Sequence, residues 1–165
     1  MIHGQFVTKP QLKQMTTFKM IPSFFISHTF YWGDSHIQNF GIDRASGISP
    51  AKSAYDLGLK VTFHNDSPVV DCNMLKTLWC AVNRQTRSGI ILGENERIST
   101  YQALQALTIN GAYQYHEENL KGSIKAGKKA DFVILDQNPL KTSADKLDQI
   151  QVLQTIKDGH LFYQQ

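Results

Sequence analysis

Apolar and polar positions change period several times along the chain, and each change marks an element. Thr8-Lys9-Pro10-Gln11 combines a capping Thr, a Gln three positions on and a Pro in the first turn, and opens a helix to about Lys19 with Leu12, Met15 and Phe18 on one face. Ile21 to Ser27 is apolar on both sides, as in a buried parallel strand, and runs into His28. A long polar and aromatic loop through Trp32, Asp34, His36 and Asp43 is expected next. Ser49-Pro50 starts another helix, Gly58 closes it, and the strand Leu59 to Phe63 leads into His64-Asn65-Asp66. Beyond Pro68 the spacing predicts a helix over 73–87, one begun by the capping box Ser99 to Gln102, and its extension through 108–112.

From Lys121 the texture shifts to Gly-Ser and Gly-Lys turns with short apolar runs. Strands are expected at 132–135, 152–156 and 161–163, the last two joined at Asp158-Gly159. Helix and strand alternating, with polar side chains at the strand ends, is the arrangement of (β/α) barrels. The expected fold is α/β: a partial (β/α) TIM-type barrel over 1–120, followed by a small β module over 121–165.

Composition narrows the classes. The chain has 165 residues, 41% hydrophobic, and its net charge of +3 comes from 17 basic and 14 acidic residues with no like-charged run. Nothing in it resembles a nucleic-acid arm or a polybasic membrane anchor. No apolar stretch reaches the length of a membrane span, and Met1 to Gln5 has neither the charged leader nor the apolar core of a signal peptide. Cys72 and Cys80 are expected within one helix, roughly 12 Å apart along its axis, too far for a disulfide. A reducing cytoplasm is the expected location. The chain begins directly in a strand-like step with a histidine, as if entered midway.

His3, His28 and Asp66 stand where strands begin or end, with His64 two residues before the last. Nitrogen and carboxylate donors spread over barrel strands converge near the axis, where a divalent metal is held with a position open for water. Hydrogen-bonded packing histidines are the alternative for each. By the period of two, His64 and Asp66 share a face and Asn65 points away. His36 and Trp32 are expected to line the mouth of the site, whereas His116 and His160 are expected in solvent. Phe30-Tyr31-Trp32 suits a flat or apolar substrate group, or core packing.

Several segments together resemble the amidohydrolase superfamily. They are Ile2-His3-Gly4-Gln5, Ile21-Pro22-Ser23 up to His28, His64-Asn65-Asp66-Ser67-Pro68, and the run from Lys121-Gly122-Ser123-Ile124 through Gly127-Lys128-Lys129-Ala130-Asp131 to Phe132-Val133-Ile134-Leu135. The nearest branch is amidohydrolase family 3, with its formamide deformylase-like and exoenzyme-regulator-like proteins, and the likeness is to their C-terminal portion.

The resemblance implies that His3 and His28 are metal ligands on the fifth and sixth barrel strands. It implies that Asp66 both touches the metal, zinc in such enzymes, and carries protons during hydrolysis of a C–N bond in a small amide-like substrate. His64 stands where family members have a small residue, which makes it either a second-layer or substrate-facing group or a plain strand residue. The family's His-x-His pair and middle-strand ligand do not occur in these 165 residues.

Two readings therefore stay open: a part of a hydrolase, inactive alone, or a non-catalytic binding or assembly module derived from one. In the family the C-terminal strands complete a composite sandwich. Self-association, or pairing with the missing N-terminal part, is expected to cover their edges.

Overall fold

The computed structural model describes residues 1–165. Helix α1, Lys9–Thr17, begins as its sequence dictates: the Gln11 side chain accepts the Thr8 backbone N–H at 2.8 Å, Pro10 sits in the first turn, and Leu12 and Met15 face inward. The apolar run that follows is buried from Pro22 to Ser27, but only Ser23–Phe24 forms a strand, β1. It pairs in parallel with β2, Thr62–Phe63, and Ile2 lies beside Ser23 as a third parallel segment through a single bridge.

The ladder is short because the chain turns away at Phe25. The His28 N–H donates to Phe25 O, and both the N–H and the hydroxyl of Thr29 donate to Ile26 O. His28 consequently opens a helix, α2 (His28–Tyr31), where the sequence led us to expect a strand end. The expected loop after it is also helical, as α3 (Gly33–Phe40) and α4 (Ile42–Ser46). These short helices lack a long apolar stripe and rest on tertiary contacts instead. At Gly33 an added Cβ would lie 2.6 Å from the Thr86 methyl, so only glycine permits this approach.

Helix α5 (Ala51–Asp56) follows Pro50 and feeds β2 through Gly58. Helix α6 spans Met74–Asn83 and is narrower than its apolar spacing suggests: the Asn73 side chain caps it by accepting the Lys76 N–H at 2.9 Å, and Arg84 ends it in a left-handed conformation. Cys72 therefore lies outside the helix and exposed, while Cys80 is inside it and buried, which corrects the placement of both in one helix. Helices α7 (Thr100–Leu107, with the Ser99/Gln102 capping box) and α8 (Ile109–Gln114) complete the helical part.

The three-stranded antiparallel sheet consists of β3 (Phe132–Leu135), β4 (Val152–Lys157) and β5 (His160–Gln164). Asp158 and Gly159 both have positive φ, 52° and 81°, as a two-residue hairpin loop requires. A 3-10 turn at 144–149 returns to the helical part: Leu147 and Ile150 join the 18-residue core, and the Trp79 indole N–H donates to Asp145 O. The sheet itself is poorly covered. Phe162 is 81% exposed, Val133 58% and Leu161 56%.

Arg84 is fully buried, and its guanidinium donates to the carbonyls of Leu92 (2.8 Å), Ile48 (2.7 Å), Ser49 (3.1 Å) and Ser46 (3.4 Å). Burial lowers its pKa to about 10, which leaves it charged at neutral pH. Against the same carbonyl, a Cβ on Gly93 would fall 2.0 Å from Ser46 O, at φ +72°. Replacing Arg84 by Leu strands several buried carbonyls at about 1–3 kcal/mol each, so R84L is expected to lose about 3 kcal/mol or more in urea unfolding followed by circular dichroism. R84K, which keeps the charge but not the fork, is expected to recover only part of that loss.

Candidate functional site

The parallel segments at Ile2, β1 and β2 all end on the same side, so the residues that follow them come together. The rings of His3 and His64 meet edge to face at 4.8 Å, and His3 Nε2 lies 3.7 Å from the Asp66 carboxylate. Both members of this pair sit in left-handed backbone, His3 at φ 62° and Asp66 at φ 51°. The Ser23 hydroxyl and His64 Nδ1 are 3.0 Å apart, while His64 Nε2 is buried without any hydrogen-bond partner. Asn65 points the other way: its amide N–H₂ donates to Asp71 O and its carbonyl accepts the Thr77 hydroxyl at 2.7 Å. Asn65 thus faces away from His64 and Asp66, as expected, although β2 ends at Phe63 and Asp66 lies in left-handed backbone rather than in a strand.

His28, one helical turn beyond β1, belongs to a second pair. Its Nδ1 lies 3.3 Å from His36 Nε2, with the two rings stacked at 5.6 Å, and the Trp32 ring packs 4.6 Å away. Phe25 stands between the pairs, with its ring 4.6 Å from His28, 5.5 Å from His64 and 6.1 Å from His3. Neither Phe25 nor Ser23 stood out in the sequence, because inside an unbroken apolar run nothing separates a ring that organises a site from one that fills a core. His36 lies on α3 against His28 rather than in a loop. His116 and His160 are exposed and far along the chain from this group.

Burial favours the neutral form of three of the imidazoles, His28, His36 and His64. Burial, then His36, His3 and His64, lower the pKa of His28 to about 4, opposed by Asp66. Burial also lowers His36, and burial followed by His3 lowers His64. Neutral imidazole is the form that binds a metal or accepts a proton.

Imidazole nitrogens beside a carboxylate are the donor chemistry of a divalent metal, and the unpartnered His64 Nε2 is the kind of atom a ligand satisfies. No three His, Cys, Asp or Glu side chains, however, come close enough together to hold an ion. The donors have the chemistry of metal ligands but lie in two separate pairs, His3 with Asp66 and His28 with His36.

The sequence profile described as the amidohydrolase family matches residues 1–163. The chain belongs to the amidohydrolase family. N-substituted formamide deformylase of Arthrobacter pascens is 34% identical over 117 residues, which cover 71% of this chain and 22% of that protein. Among solved structures, an uncharacterised metal-dependent hydrolase from Pyrococcus furiosus superposes with a TM-score of 0.71 at 27% identity, over 85% of this chain and 28% of the other. An adenosine deaminase from Xanthomonas campestris, solved with bound zinc, has a TM-score of 0.69 at 19% identity, over 97% of this chain and 36% of the other, a likeness of fold.

The chain thus spans about a quarter of the length of the first relatives it matches. Its family is one of hydrolytic enzymes, with metal-dependent members among the neighbours. No helix is long and apolar enough to cross a membrane.

The depressed histidine pKa values fix a sign for the dependence of stability on pH. His28 stays neutral in the folded state down to about pH 4, whereas a free imidazole titrates at 6.5, so the unfolded chain takes up the proton first. The stabilisation is complete above pH 6.5 and is lost as pH falls toward 4. One pKa unit corresponds to about 1.4 kcal/mol, and discounting for the half-exposed ring leaves on the order of 1–2 kcal/mol. Urea midpoints measured at pH 7.5 and 4.5 are expected to fall accordingly, and to fall less in H28Q.

Proposed function

We propose that residues 1–120 are part of a (β/α) barrel, that 121–165 are part of a small β module, and that together they contribute to an amidohydrolase acting on a C–N bond of an amide-like small molecule. The meeting of His3, His64 and Asp66 at the ends of parallel segments carries this reading. His3, His28 and Asp66 are the residues that would hold a divalent metal, zinc by family likeness, with further donors from outside these residues. Such a metal supplies a nucleophilic water at neutral pH and polarises the carbonyl.

The side chains have separable roles. Asp66 is half-exposed beside His3 and accepts a proton at its carboxylate oxygen, then returns it to the departing amine nitrogen. His3 holds that carboxylate in place. His64, fixed at Nδ1 by Ser23, keeps a buried and unpartnered Nε2 beside His3, and His36 holds the His28 ring. Phe25 and Trp32 exclude water from the wall between the two pairs.

A second reading has its own support. The donors remain in two pairs and the β sheet exposes Phe162, Val133 and Leu161, as suits a non-catalytic binding or assembly module that meets another polypeptide or a second copy of itself. Zinc analysis and assay with an N-substituted formamide separate the two. For the hydrolase, D66N is expected to lower kcat by about 10²- to 10⁴-fold with little change in KM, and H3A and H28A to lose zinc. Zinc-free protein without turnover, alone or when combined with the remaining portion of such a relative, overturns the hydrolase and leaves the binding module.

A further inference from the structure

The segments leaving β1 and β2 converge a second time, beside the histidine and aspartate pairs. Tyr31 and Trp32 at the end of α2, Pro68 to Val70 in the turn after Asp66, and Arg87 line an open cavity of about 430 Å³, with Asp71 at its wall. It adjoins the candidate site on two sides. The Trp32 ring packs 4.6 Å from His28, and Pro68 is the second residue beyond Asp66.

Arg87 is the unusual member. Its guanidinium lies over the Tyr31 ring at 5.0 Å and the Phe30 ring at 5.8 Å, is exposed, and forms neither an ion pair nor a hydrogen bond within the protein. Stacking of this kind leaves the planar N–H edge free to meet a carboxylate with two parallel hydrogen bonds. The segment carrying Arg87 is anchored on both sides. Arg84 is buried at its base, Gln85 bridges Ile91, and Ser88 donates to the Asp34 carboxylate through its N–H (3.1 Å) and its hydroxyl (2.5 Å). That hydroxyl is the first cause holding the Asp34 carboxyl below its usual range, and Arg87 lies near enough to contribute, so a negative charge flanks Arg87.

We propose that this cavity binds the portion of the amide substrate remote from the scissile bond, and that it selects a flat group bearing one carboxylate, paired by Arg87 and stacked against Tyr31 and Trp32. Asp71 opposes a second negative charge. Calling the ligand a substrate rests on the hydrolase reading above, but the binding does not.

The test is a titration of the purified chain with N-benzoylglycine and with its uncharged amide, N-benzoylglycinamide, followed by proton–nitrogen NMR of the Trp32 indole and the Arg87 Nε–H. The acid is expected to shift both signals and to bind about tenfold more tightly than the amide. R87Q, with an unchanged melting curve, is expected to abolish the difference, and D71N to tighten binding of the acid about two- to threefold.

Equal affinities for acid and amide, a full preference retained in R87Q, shifts confined to other residues, or no binding of either compound would each overturn the assignment. Because the titration involves neither metal nor turnover, its outcome stands apart from that of the D66N experiment.

Discussion

A single buried cation ties the helical part together. Arg84 ends α6 in a left-handed turn and spends its guanidinium on main-chain carbonyls from two other segments, 46–49 and 92. Of these, Ser49 O also accepts the Ala51 N–H at 2.8 Å, whereas the others depend on the guanidinium, and a buried carbonyl left without a donor costs about 1–3 kcal/mol. The 46–49 turn in turn sets the start of α5. Ser49, itself at φ 44°, accepts the Gln5 side-chain amide and donates its N–H to Gln5 O, which connects the segment after His3 to the segment before β2. Register between the first and last members of the candidate site is therefore fixed from behind, by an arginine that touches none of them.

The same economy governs the site. Four imidazoles within reach of one another would repel if charged, and burial around Phe25 keeps three of them, His28, His36 and His64, neutral. The lone carboxylate, Asp66, stays at the half-open edge beside His3. Basic nitrogens thus lie inside and an acidic oxygen at the solvent side.

How much of this could be seen in the sequence depended on whether the determining interactions were local. The capping boxes at Thr8 and Ser99, Pro50 ahead of α5 and the Asp158-Gly159 hairpin are local devices, and each stands where its residues indicated. Asn65 also turns away from His64 and Asp66 as its spacing indicated, held there by Asp71 and Thr77. What escaped was tertiary. Nothing in Ile21 to Ser27 announces that the ladder stops at Phe24, since the stop arises from turn hydrogen bonds and packing. The polar stretch after His28 lacks an apolar stripe, yet folds as three short helices held by Gly33 against Thr86 and by Asp34 against Ser88. Arg84 and Arg87 are indistinguishable as letters. One is the largest fully buried side chain and the other lies open over an aromatic pair.

The left-handed backbone at His3 and Asp66 has a consequence for how this site can vary. A β-branched or bulky side chain strains at positive φ, while Asn, Asp, His and Gly are the residues that accept it most readily. Conformation alone thus restricts both positions to a small alphabet that happens to contain the polar donors. Substitution at either point trades among imidazole, carboxamide, carboxylate and hydrogen far more easily than it reaches an aliphatic, so the backbone keeps this corner of the molecule chemically polar whatever reaction it serves.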